Sequence, residues 1–365
     1  MEDSAGKSSS STMSSSYLAA GVIQLVYAGM FLLSKVAFDG GMNNFIFVFY
    51  RQAAASIFLI PFSLFFFFFF GCRKKAPPPP PLSFCILCKI FLLSFVGITL
   101  SLNVNGIGLK YTSATLAAAT ANSLPVITFI IAVLLRIEGV NIRSISGVAK
   151  MVGILICIGG VATLALFKGP HLTHGTIISS TRPYYSGKQS AVVVIITTAA
   201  WIKGCFLMLL SNIFWALWLV LQGRVLKSYP SKLLFTTLQI LFSAFQSFII
   251  AIAVERDPKE WRLGWNVRLL AVAYCGIVVT GICYYLQTFV VEKKGPVFLS
   301  LSTPLSLIIT IICSTFLLGI PVSLGSLVGG ILLVAGLYSV LWGKSREIRN
   351  EKKTTEAAAA AVIVP

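Results

Sequence analysis

The residues of this sequence that could do chemistry are polar side chains set inside otherwise apolar stretches: Gln24, Asn103, Asn105, Asn212, Gln222, Gln239, Gln246, Tyr284, Tyr285 and Gln287. All are neutral hydrogen-bonding groups, able to orient a polar solute but poor at activating a nucleophile. Two cations join them. Arg51 lies about two turns into its apolar stretch, where a charge needs a partner such as a solute carboxylate or a helix C-terminus. Lys35 is near enough to an end to snorkel into water. Trp215 and Trp218 could stack on a flat molecule. No Asp or Glu occupies the middle of any apolar stretch; Glu138 and Asp39 stand at ends, and Glu292 follows the eighth stretch. The only histidines, His171 and His174, have no carboxylate nearby in sequence. With no acid pair and no His, Cys or carboxylate cluster at ligand spacing, the sequence implies neither enzyme chemistry, nor a metal, nor a cofactor.

The elements that must position these groups are membrane-spanning. Hydrophobic residues make up 57% of the 365 and charged residues 11%, and the mean hydropathy is +0.90. So little charge cannot cover a water-soluble surface. Ten apolar blocks of bilayer-crossing length run over 17–38, 44–71, 86–109, 114–135, 145–167, 204–226, 232–254, 268–291, 296–318 and 323–343. The net charge of +18 sits in the segments between blocks, a topology signal rather than a nucleic-acid footprint. Lys and Arg concentrate on the side that holds both termini, which predicts cytoplasmic termini. The run Pro77 to Pro81 must stay in water, since polyproline has no internal hydrogen bonds. Cys85 and Cys88 form a lone C-x-x-C at a helix mouth, read as packing or palmitoylation; the remaining cysteines imply no disulfide framework.

The chain divides in two. A shift of 179 positions aligns Lys89 with Arg268, Gly97 with Gly276, Ser123 with Ser302, Pro125 with Pro304 and Asn105 with Tyr284. Five spans per half is an odd number, so the second half is inverted relative to the first, an architecture that places a solute site at the repeat interface. The expected class is therefore an all-α membrane protein of ten transmembrane helices in two inverted five-helix repeats. The divisions are a disordered tail over 1–16, a first repeat over 17–168, a polar connection over 169–203, a second repeat over 204–343 and a tail over 344–365. Pro125 and Pro304 should bend their helices beside Thr120, Asn122, Ser123, Ser300, Ser302 and Thr303, whose polar groups either face a cavity or re-satisfy freed carbonyls. Small-residue stripes (Ala114, Ala118, Ala121; Gly153, Gly160; Gly325, Gly329, Gly336) predict close helix approach.

Several stretches resemble the plant EamA-type carriers of the drug/metabolite transporter superfamily, the nodulin-like, walls-are-thin-related or UmamiT group. They are Leu109 through Pro125 with Ile127-Thr128-Phe129, Tyr50-Arg51, Phe167 to Pro170, Gln222 to Pro230, and Glu255-Arg256-Asp257 with Trp261 and Trp265. Lys294 to Phe298, Pro304-Leu305-Ser306 and Gly336 to Lys344 complete a match that covers nearly the whole chain in order. The resemblance implies two EamA repeats around a central cavity, export of amino acids or related small organic solutes, and residence in the plasma membrane ahead of the vacuolar membrane. Some relatives belong with auxin. Such relatives carry a Glu near the end of the ninth helix where this chain has Ile320, while the first-repeat counterpart, Glu138, is present.

The expected function is a secondary transporter or facilitator of amino acids working by alternating access. The expected site is Gln24, Arg51, Asn105, Thr120, Asn122, Pro125, Trp215, Tyr284, Gln287, Ser302 and Pro304, with Glu138 for coupling. The lack of a buried carboxylate favours facilitated diffusion or coupling through that end residue. Alternatives are an aromatic organic acid such as auxin, held by Arg51 and stacked on Trp215 or Tyr285, and a receptor or scaffold that transports nothing. Its partners would be a small-molecule substrate and membrane lipid, with no nucleic acid; a homo-oligomer is compatible.

Overall fold

The structure, a computed structural model, describes residues 2–71, 83–112, 114–137, 144–166, 198–228, 231–300, 302–318 and 324–363. Among these, every regular element is helical. The helices are α1 (Glu2–Asp39), α2 (Asn44–Gly71), α3 (Phe84–Lys110), α4 in two pieces (Ala114–Ala121 and Leu124–Leu134), and α5 (Ile145–Leu166). The second half supplies α6 (Thr198–Ser228), α7 (Lys232–Val254), α8 (Val267–Lys294), α9 in two pieces (Pro296–Ser300 and Thr303–Leu318), and α10 (Leu324–Ile363). Nine are long and apolar enough to cross a bilayer, and α5 keeps the shorter apolar stretch Ile145–Gly160. In lipid the backbone must satisfy its own hydrogen bonds, which a helix does within one segment. Helix α1 begins at Glu2 rather than at the apolar boundary, so the tail expected to be disordered over 1–16 is helical from Glu2. Helix α10 continues to Ile363. A nucleated helix propagates cheaply, and the Ala, Glu and Lys of the α10 extension are good helix formers.

Packing follows the two-fold relation expected from the repeats. Helix α1 packs on α8 and α9, as its counterpart α6 packs on α3 and α4; α2 packs on its own counterpart α7, and α5 on α10. The α5–α10 seam is built from glycine. A Cβ on Gly153 would lie 2.5 Å from the Gly336 carbonyl, and one on Gly336 would lie 2.6 Å from the Gly153 carbonyl. These are the close approaches that the glycine stripes predict. One end of the seam carries an ion pair between Lys150 and Glu347, with Lys150 also 5.7 Å from the Phe129 ring centre.

Two further devices repeat in register. Helices α3 and α8 each widen to π-helix, over Phe95–Leu100 and Tyr274–Cys283, and the two widened segments start at positions related by the repeat offset. Such segments often mark functional sites. Each admits a neighbour against a glycine: a Cβ on Gly97 would lie 2.2 Å from the Trp218 Cβ, and one on Gly276 would lie 2.9 Å from the Arg51 carbonyl. Helices α4 and α9 break at equivalent places, after Ala121 and after Ser300. Here the structure corrects the expected mid-helix kink. Pro125 and Pro304 lie in the first turn of the segments that follow each break, where a missing N–H costs nothing.

Candidate functional site

A cavity of about 100 Å³ opens at the centre of the two halves, room for roughly three water molecules. Its wall draws on α1 (Gln24, Tyr27, Ser34, Phe38), α2 (Asn44, Arg51), α3 (Ser101, Asn105), the α4 break (Ala121, Leu124), α6 (Ser211, Asn212, Trp215) and α9 (Thr303, Ser306). It extends from the midplane toward the end opposite the two termini. There the α1–α2 turn and the α7–α8 connection are tied together by Asn43 Nδ2 to Glu255 Oε2 (2.9 Å) and Tyr50 Oη to the Trp261 carbonyl (2.6 Å). Phe38 borders both this cavity and a shallower pocket at that surface, shared with Asp39, Lys110 and Glu260.

Toward the end holding the termini the cavity is sealed by bonds between repeats. Gln287 of α8 hydrogen-bonds the Tyr27 hydroxyl of α1. Gln24 Nε2 donates to Ser302 Oγ at 2.8 Å. Beneath them Trp215, Trp218 and Tyr284 form an aromatic layer, each pair of rings 4.8 to 5.5 Å apart. The Ser302 hydroxyl spends its own proton on the Leu299 carbonyl (2.7 Å), so it accepts from Gln24. That fixes the Gln24 amide and leaves Oε1 buried with no partner among the described residues. Asn44 is fixed likewise, donating Nδ2 to the Asn103 carbonyl at 3.0 Å while its oxygen rests against Gly106, where any Cβ would collide with it.

Arg51 dominates the electrostatics. It is 4% exposed. Its Nε donates to Thr280 Oγ1 at 2.7 Å, and Thr280 in turn donates to the Cys275 carbonyl five residues back, in the π segment. That is its one hydrogen bond among the described residues, and no carboxylate there lies within ion-pair distance of it. A buried cation without a counter-charge costs on the order of several kcal/mol unless the space it faces supplies one. By contrast Lys35 pairs with Asp39 at 2.9 Å.

Of the residues expected at the site, Gln24, Arg51, Asn105 and Trp215 line the cavity. Gln287, Ser302 and Tyr284 stand one layer behind it, holding Tyr27, Gln24 and Trp215 respectively. Asn105 and Tyr284, expected to oppose one another, therefore occupy different layers. Thr120 and Asn122 turn back on their own helix, bonding the Ala117 carbonyl (3.0 Å) and the Ala118 carbonyl (2.9 Å). Pro125 and Pro304 shape the breaks from outside the wall. Trp218 is 1% exposed, gives its N–H to Gln239 Oε1 (2.9 Å) and stands off the wall of this cavity. Glu138 and Ile320 fall outside the described residues. Sequence reasoning missed Tyr27, Asn44 and Thr280. Tyr27 was findable, lying one turn from Gln24 on the same helix face; Asn44 looked like an ordinary helix start.

A family model described as EamA-like transporter family matches residues 14–166 and again 202–342. Two WAT1-related proteins of Arabidopsis thaliana are similar to the chain along most of its length. One is 56% identical, over 92% of this chain and 91% of the relative; the other is 46% identical, over 89% and 90%. A protein of known crystal structure superposes with a TM-score of 0.58 at 17% identity, covering 90% of this chain and 99% of that one, which shows the shared fold. The chain belongs to the EamA-like transporter family, with the family unit present twice.

Proposed function

We propose that the protein is a secondary transporter or facilitator that exports amino acids or related small carboxylate-bearing solutes by alternating access. Arg51 carries this reading: a buried cation on the cavity wall, with no acid beside it among the described residues, is suited to receive a solute carboxylate. The unpartnered Gln24 Oε1 is an acceptor suited to an ammonium group, which favours a zwitterion over a simple anion. The cavity is sealed toward the termini by α1–α8 and α1–α9 bonds. Rocking of one repeat against the other would break those bonds and remake the ties at the opposite end. The Lys and Arg bias supports cytoplasmic termini, and the likeness to plant carriers favours the plasma membrane over the vacuolar membrane.

The test is flux of radiolabelled amino acids from proteoliposomes, with their methyl esters and decarboxylated amines as competitors. We expect free amino acids to move and to be blocked only by compounds that keep the carboxylate. Equal competition by the esters would overturn the role of Arg51. A second reading, an aromatic organic acid stacked on Trp215, draws on the position of that ring in the wall; competition by an indole carboxylate lacking the amine decides between the two.

A further inference from the structure

A second, larger cleft of about 450 Å³ lies between α3 and α6, away from the central cavity. It is lined by Lys89, Leu92, Leu93, Val96 and Gly97 of α3, and by residues of α6 that include Trp218, Leu221 and Arg224. The two helices run antiparallel, with Ser101 bonded to Ser211 (3.1 Å). Lys89 near the start of α3 therefore stands level with Arg224 near the end of α6. Both cations are exposed, at the membrane end that holds the termini. Arg224 gives one N–H to the Leu135 carbonyl; among the described residues Lys89 has no ion-pair partner and no acid lines the cleft. From Lys89 to Gly97 the apolar wall descends about 12 Å at the rise of an α-helix. Its mouth is flanked by the exposed Leu92.

We propose that this cleft is a binding site for an anionic phospholipid of the leaflet on the termini side. The phosphate would rest between Lys89 and Arg224, and one acyl chain would lie along Leu92, Val96 and Leu221. Two cations over an apolar slot complement such a lipid: charge at the headgroup level, hydrocarbon beneath. A free phosphate would leave the slot empty; a zwitterionic lipid would fill it but bring an extra cation toward Lys89 and Arg224. The floor of the slot is Gly97 and Trp218, and Trp218 is also part of the aromatic layer that seals the central cavity. Lipid in the slot therefore braces that layer from behind.

The proposal is tested by native mass spectrometry on full-length protein drawn from nanodiscs of phosphatidylcholine and phosphatidylglycerol in equal parts. Three chains are compared: wild type, K89Q/R224Q, which keeps hydrogen-bonding capacity at both positions, and Leu92→Trp, which fills the slot and leaves both charges. Wild type should retain phosphatidylglycerol over phosphatidylcholine by about tenfold, the preference expected of two partly screened cations. Each variant, monodisperse by size exclusion, should lose that preference. Equal retention of the two lipids by wild type, or an undiminished preference in K89Q/R224Q, would overturn the site. Preference kept by Leu92→Trp would reduce it to surface charge alone, which also overturns it. Inorganic phosphate added to wild type should leave the melting temperature unchanged; a rise matching that from the lipid would assign the cations to a free anion instead.

Discussion

The α2–α8 and α3–α7 seams are equivalent under the repeat relation, yet they are furnished in opposite ways. Between α3 and α7 neutral polar groups answer one another, although Gln239 Nε2 of α7 is buried with no partner among the described residues. Ser94 donates to the Gln239 carbonyl (2.6 Å), Thr99 Oγ1 lies within hydrogen-bond distance of Gln246 Oε1 (2.8 Å) and Ser243 Oγ (2.9 Å), and Gln246 Nε2 reaches the Phe91 carbonyl (3.1 Å). Between α2 and α8 a cation leans on one hydroxyl, and the next residue of α2, Gln52, is buried with neither amide atom partnered among the described residues. The fold duplicates positions; the side chains make one copy a neutral network and leave a cation in the other. A neutral hydrogen-bonded network holds helices together, whereas an under-satisfied charge against a cavity is costly until something there answers it.

The largest way to break this contrast is Arg51→Ala. Losing a charge-assisted contact of ~2 kcal/mol should lower amino-acid flux about thirtyfold while the protein stays monodisperse. Arg51→Lys should recover only part of it, because a point charge lacks the planar fork. Next is Gln246→Leu in the α3–α7 seam. It should destabilise the protein by ~1–3 kcal/mol, through loss of the two hydrogen bonds to Thr99 and the Phe91 carbonyl, with transport per folded molecule unchanged. A fall in flux without a fall in melting temperature would reverse the assignment of the two seams. Thr280→Val should raise KM by about fivefold, the effect of one lost hydrogen bond of ~1 kcal/mol, and Thr280→Ser should restore it. Smallest of all is Gln52→Met. Removing an amide that pairs with nothing should leave stability within ~0.5 kcal/mol of wild type, and a large loss would show that Gln52 is bonded after all.

Most of the architecture was legible in composition and spacing, because bilayer thickness fixes helix length and an odd span count forces inversion. The matched prolines located both breaks, though the backbone places them after the interruption rather than within a kink. The site was legible only in part. Gln24, Arg51, Asn105 and Trp215 announced themselves as polar or aromatic groups in apolar surroundings. Gln239 and Gln246 announced themselves in the same way and proved to be joinery. Polarity shows that a residue must be satisfied, not by what; that depends on which helix crosses it, and a single sequence carries no such pairing. The π segments were invisible for a related reason, since one extra residue per turn leaves no mark on hydropathy.

Among the described residues neither α5 nor α10 contributes a side chain to the cavity wall, although their glycines bring the two halves into close approach. Assembly and recognition are thus assigned to separate helices. Wall residues can be exchanged over evolutionary time without loosening the clasp between halves, which leaves the scaffold free to acquire new cargo by ordinary point mutation.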